Sequence, residues 1–101
     1  MELPIVCTLS EEELQQRRHD VLNSVHAAVI KTTELPNGYA YEFAFNPEML
    51  AALARLVALE HECCRFLTFR ISVEAGGAVV TLEITGPSEA KPVIADFFGG
   101  R

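Results

Sequence analysis

Five consecutive residues, Glu60-His61-Glu62-Cys63-Cys64, put two thiols, an imidazole and two carboxylates at the end of an apolar helical pattern, and two of the three cysteines of the chain are among them. Thiolates are the strong nucleophiles among side chains, and they bind soft ions such as zinc, copper(I) and mercury. Two chemistries are therefore open: ligation of a thiophilic ion, or attack on a thiophilic substrate. Packing alone is the third reading. Free cysteine is among the most buried residue types and behaves as a small hydrophobe, so a Cys-Cys pair beside Phe66, Leu67 and Phe69 also reads as core.

Helical phase makes the cluster more specific. At ~100° per residue, Met49, Leu50, Leu53, Leu56 and Val57 form one apolar stripe. Glu60 and Cys64 fall near its middle, Cys63 to one side and His61 to the other, while Glu48, Arg55 and Glu62 point away. The phase predicts a carboxylate aimed at the core, one turn from a thiol aimed the same way. A buried carboxylate is costly unless it is paired, hydrogen-bonded, protonated or metal-bound. Stability alone would put leucine at position 60, so Glu60 needs a partner, and Arg17 or Arg18 on the preceding helix is the organic candidate. Closed zinc modules show paired C-x-x-C units, which this chain lacks. Three thiolates, or two with a carboxylate, suit a softer ion of lower coordination. The candidate metal ligands are thus Cys7, Cys63, Cys64 and Glu60, with Arg17 and His61 supporting them. Neighbours on a helix diverge by ~100°, so both thiols reach one ion only where the helix frays or ends at Cys63. Taken singly, Cys7 reads as core, His61 as a boundary residue and Glu62 as solvated surface.

The surrounding pattern supplies the elements that must position these groups. Pro4 to Leu9 reads as a strand or extended arm. Ser10 with Glu13 makes a capping box for a helix running to about Ser24 or Val25. Leu14, Arg18, Val21 and Val25 share its inner face, with Arg17 and Leu22 at the margins. Ala28 to Phe45 is a hairpin turning at Pro36-Asn37-Gly38. Its second run alternates Tyr39, Tyr41, Phe43 and Phe45 with small or polar residues, and its more polar first run reads as an edge strand. Asn46-Pro47 opens the second helix, which continues to Cys63 or Cys64. A second hairpin turns at Gly76-Gly77, and Ser88 caps a last short helix that tolerates Pro92 in its first turn. These elements predict an α+β two-layer sandwich: an antiparallel sheet of two hairpins, with room for an N-terminal strand, and three helices on one face.

Composition bounds the function. The 101 residues, half of them hydrophobic, make one globular domain spanning 1–101. A formal charge of −6 with a pI near 4.9 argues against a nucleic-acid surface, which would show a basic stripe. No apolar run approaches the ~20 residues of a membrane span. The start, Met1-Glu2-Leu3-Pro4, does not resemble a signal peptide, so a cytoplasmic setting with reduced thiols is expected. An odd cysteine count speaks against a disulfide framework. There is no phosphate-binding glycine loop and no nucleophile elbow.

Ile5-Val6-Cys7-Thr8-Leu9, Arg17 ten positions after that cysteine, Leu56 to Glu60 followed by Cys63-Cys64-x-Phe66, and the hairpin ending Leu82-Glu83-Ile84-Thr85-Gly86-Pro87 together resemble a family of small uncharacterised bacterial proteins. Similar modules extend the C-terminus of some MerR-type regulators, whose relatives sense metals. The resemblance spans nearly the whole chain and implies a heavy-metal or metalloid role by association. Arg65 departs from it, because proline or alanine is usual after the cysteine pair. The 101 residues carry no DNA-binding half, so no transcription-factor role is implied.

The expected function is a soft-metal or thiophilic-ligand binding module rather than an enzyme. Its partner would be a metal or metalloid ion or a small thiophilic ligand. One alternative is a small thiol enzyme, with Glu60 or His61 beside Cys64, acting by chemistry analogous to organomercurial cleavage. The other is a non-catalytic domain with core cysteines that forms a homodimer, which the apolar content and an edge strand favour.

Overall fold

Alternating aromatic residues build the centre of the molecule. The computed structural model describes residues 12–98, apart from the side chains of residues 12–15, 17–19, 63, 97 and 98. Strands β1 (Val29–Leu35), β2 (Gly38–Ala44), β3 (Thr68–Val73) and β4 (Val79–Thr85) form one antiparallel sheet in the order β1-β2-β4-β3. Tyr39, Tyr41 and Phe43 of β2 lie opposite Ile84, Leu82 and Val80 of β4, and all six are buried. Side chains alternate across a strand, so this is one face, and the opposite face carries Ala40, Glu42, Thr81 and Glu83. The helices α1 (Glu12–Ala27), α2 (Pro47–Cys63) and α3 (Lys91–Phe98) cover the aromatic face and bring Val25, Leu53, Leu56 and Ile94 into the core. The α+β sandwich expected from the pattern is the observed architecture.

Local differences have physical causes. α1 runs to Ala27, two or three residues further than expected, and its last turn carries the buried Val25. Ser88 is not a cap. It begins a 3₁₀ turn, Ser88–Ala90, whose cap position is Pro87, and no side chain caps that turn. The Ser88 hydroxyl instead lies 3.5 Å from the Glu89 carboxylate. The Pro92 ring falls in the first turn of α3, as expected. Lys91 tethers that helix to the sheet: its ammonium pairs with Glu34 and sits 5.6 Å from the centre of the Tyr39 ring. The expected cap at Ser10 and the expected arm at residues 4–9 lie outside the described residues. No helix among the described residues is long and apolar enough to cross a membrane.

The glycine of the first hairpin has a different task from the one its turn sequence predicts. Leu35 pairs with Gly38, so the loop is Pro36-Asn37, and Gly76 is the only described residue with positive φ. Gly38 is needed because β4 passes against it. A Cβ there would stand 1.9 Å from the Ile84 carbonyl oxygen and 2.8 Å from the Thr85 Cα. Those are backbone atoms, so relief requires moving a central strand.

Two stability outcomes are expected. Gly38→Ala should cost ~3 kcal/mol or more, as for overpacked sites that must shift backbone. A thermal melt within about 2 °C of the parent would show that β2 and β4 separate freely there. Burial, and secondarily Tyr39, raises the Tyr41 phenol well above its ordinary value. Below pH ~10 Tyr41 is neutral in both folded and unfolded chains, and above it the unfolded chain loses the proton first. Its contribution should therefore fall as the pH rises beyond ~10, and Tyr41→Phe should flatten that decline in urea titrations at stepped pH.

Candidate functional site

α2 carries the candidate site, and its two ends are fixed by different means. Asn46 lies extended, its side-chain oxygen accepts the Met49 N–H at 2.7 Å, and Pro47 follows at the first position, where its missing N–H costs nothing. At the other end the helix stops at Cys63. The Cys64 N–H still donates to the Glu60 carbonyl at 2.6 Å, but with φ −125° and ψ 77° Cys64 has left helical geometry. Its carbonyl accepts the Leu67 N–H at 3.2 Å, which closes the turn toward β3. The ending at Cys63 is the one that convergence of both thiols would need.

Between these ends the apolar stripe holds its phase. Leu53, Leu56 and Glu60 are fully buried, as is Cys64 beyond the helix. Glu60 is the buried charged residue among the described side chains, and the Cys64 thiol donates to its Oε1 across a long 3.9 Å contact. Phe66 and Leu67 of the following turn are buried in the same core as Cys64. The phase argument thus places both groups correctly.

That separation has chemical meaning. Two donors on one zinc-like ion, at ~2.3 Å for sulfur and ~2.1 Å for oxygen, stand ~3.6 Å apart at a tetrahedral angle and ~4.4 Å apart when opposed. The observed 3.9 Å lies within that span. As a nucleophile–base pair the arrangement is less complete, because acyl or alkyl transfer also needs an oriented electrophile site.

The other candidates sit around this pair in different ways. His61 is on the last turn of α2 and is exposed. Glu62 is exposed and pairs with Arg65 at 3.9 Å, an exposed contact of little energetic weight. The backbone of Cys63 closes α2 and that of Arg17 lies in α1, but both side chains, and all of Cys7, are outside the described residues, as is the expected contact between Glu60 and Arg17 or Arg18. Among the described residues no group of three or more His, Cys, Asp or Glu side chains is close enough to hold a metal. A cavity of about 220 Å³ opens elsewhere, between Asp20, Val21 and Ser24 of α1 and Ala52 and Arg55 of α2. The sequence gives no sign of it, since small residues on facing helices leave no periodic mark.

These features define a class: a helix-covered antiparallel sheet with a buried thiol–carboxylate pair at a helix terminus. Compared with protein-family models, curated proteins and solved structures, the chain matches none.

The energetics of the pair can be checked directly. Cys64→Ala leaves a small cavity and should cost ~1 kcal/mol. Glu60→Ala should cost ~2–4 kcal/mol, since it opens a larger cavity and leaves the Cys64 thiol without its acceptor. A urea titration in which Glu60→Ala proves no worse than Cys64→Ala would show that the carboxylate is held only loosely.

Proposed function

We propose that this chain is a cytoplasmic binding module for a soft metal or metalloid ion, or a small thiophilic ligand. In this reading Cys64 and Glu60 are two of the ligating groups. Cys63 and Cys7 add further thiolates, and Arg17 and His61 orient or neutralise the set. One observation carries the proposal: a fully buried thiol lies 3.9 Å from a fully buried carboxylate where α2 gives way to irregular backbone. A carboxylate in that position is hard to explain as packing, because leucine would fill the stripe at lower cost. The absence of a C-x-x-C pair favours a low-coordinate soft ion over a closed tetrahedral zinc. The resemblance to modules attached to MerR-type regulators agrees with a link to heavy-metal response, by association.

The test is a titration of the reduced protein with mercury(II), arsenic(III), copper(I) and zinc(II), followed by native mass spectrometry and thiolate-to-metal absorbance. One ion per chain is expected, with proton release, because thiols ionise on ligation. The Cys63→Ser/Cys64→Ser double variant should lose binding, Glu60→Gln should weaken it, and His61→Ala should change it little. Affinity no greater than that of an unfolded control peptide would end the proposal. Rapid native-state reaction of the thiols with alkylating reagents, without ion binding, would instead support a thiol enzyme.

A further inference from the structure

At the β3 margin of the aromatic face the described helices leave apolar side chains exposed. On β3, Phe69, Ile71 and Val73 lie opposite Ile84, Leu82 and Val80 of β4, so they share the buried face. Leu82 and Val80 are fully buried, yet Ile71 is 37% and Val73 46% exposed. The difference arises because β3 ends the sheet: among the described residues nothing pairs with its outer edge.

The two edges of the sheet are not alike. β1 carries a register shift between Val29 and Lys31, and Pro36 follows it directly. Bulges, lysine and proline are the devices that keep an edge from pairing with another chain. β3 has no bulge and no proline, and its one charged residue is Arg70. Its ladder with β4 is regular from Thr68 to Val73.

We propose that β3 pairs antiparallel with β3 of a second copy of this chain, about a twofold axis at Ser72, to give a continuous eight-stranded sheet. The sequence Arg70-Ile71-Ser72-Val73-Glu74, which runs one residue past the end of β3, is self-complementary in that register. Arg70 faces Glu74 of the second copy, Ile71 faces Val73, and Ser72 faces itself, each pair on one side of the sheet as antiparallel pairing requires. The two neighbouring registers are worse: centring on Ile71 leaves Arg70 opposite Ser72, and centring on Val73 leaves Glu74 opposite Ser72 and Arg70 opposite Gly76. The twofold also makes the contact close on itself rather than run into a filament. Charge complementarity singles out a second copy over the chain's own residues 4–9, because Pro-Ile-Val-Cys-Thr-Leu offers no acid to Arg70. A ribbon this short sits at the low end of specific interfaces, so the dimer is weak, with a Kd of roughly 10–100 µM.

Sedimentation velocity of the full chain, from roughly 1 µM to 1 mM, tests the proposal. The parent should pass from monomer to dimer over that range. Glu74→Arg, and separately Arg70→Glu, should each weaken association about tenfold, since each converts two attractive cross-strand pairs into repulsive ones; Arg70→Glu also faces Glu83 of β4 in its own chain, a cost that its thermal melt reads separately. The double swap Arg70→Glu/Glu74→Arg should restore it. All four positions on these two chains are exposed, and circular dichroism confirms that each variant is folded. A parent that stays monomeric to the top of the range overturns the proposal and leaves the edge to another occupant, such as residues 4–9. A dimer that ignores both single changes, or that the double swap does not rescue, overturns it too.

Discussion

The contact between β2 and β4 sets the rest of the architecture. These strands are about forty residues apart in sequence, yet they form the middle of the sheet, and each hairpin adds its other strand on the outside. Because β2 and β3 both run antiparallel to β4, the chain must cross from one end of the sheet to the other between them. α2 makes that crossing. Its position over the aromatic face is therefore a consequence of strand order, and the inward stripe Leu53, Leu56, Glu60 follows from its phase. A closely approaching β4 is possible because Gly38 has no side chain to meet the Ile84 carbonyl. One missing methyl group thus permits the central pairing, and the central pairing delivers Glu60 and Cys64 to the interior.

Glu60 then stands out energetically. A stripe of leucines that ends in a carboxylate gives up apolar burial and takes on a desolvation cost. Hydrophobic replacement of buried ionic groups is often neutral or stabilising in other proteins, so burial of this one is poorly explained by stability. In the proposed binding role the adjacent thiol offers a better account, because a thiol and a carboxylate can each serve as a ligand and the 3.9 Å between them falls in the range for two donors on one ion. The loss of helical geometry at Cys64 matters for the same reason: it releases the second cysteine of the pair from the ~100° divergence that a continuing helix would impose.

Much of this was readable from local pattern. The 3.6-residue period put Glu60 and Cys64 inside, and the two-residue period separated the faces of both hairpins. Asn46-Pro47 marked the start of α2 through cap chemistry that depends on neighbouring residues alone. What stayed hidden was non-local. Gly38 read as turn glycine, since nothing nearby in sequence announces that β4 passes against its Cα. Ser88 read as a cap, because its side chain is competent and only the 3₁₀ start at that site moves the cap position to Pro87. The polar first strand reads as an edge and ends the sheet among the described residues. The apolar third strand gave no such sign, and its exposure follows from the strand order and from where the helices end.

The buried pair and the bare edge belong to one stretch of chain. From Cys64 the backbone turns through the Leu67 N–H, buries Phe66 and Leu67, and enters β3 at Thr68. Within ten residues the environment changes from full burial to an apolar side chain nearly half exposed at Val73. No change in composition accompanies this: Phe69, Ile71 and Val73 are as apolar as the strand beside them. The layer above the sheet is what changes, because among the described residues three helices on a four-stranded sheet cover its centre and leave inner-face positions of both outer strands exposed, Thr32 and Glu34 on β1 and Ile71 and Val73 on β3. Burial at Glu60 and exposure at Val73 are therefore two results of one placement of the helical layer. α2 hides its own carboxyl end against the sheet and leaves the strand it leads into at the margin.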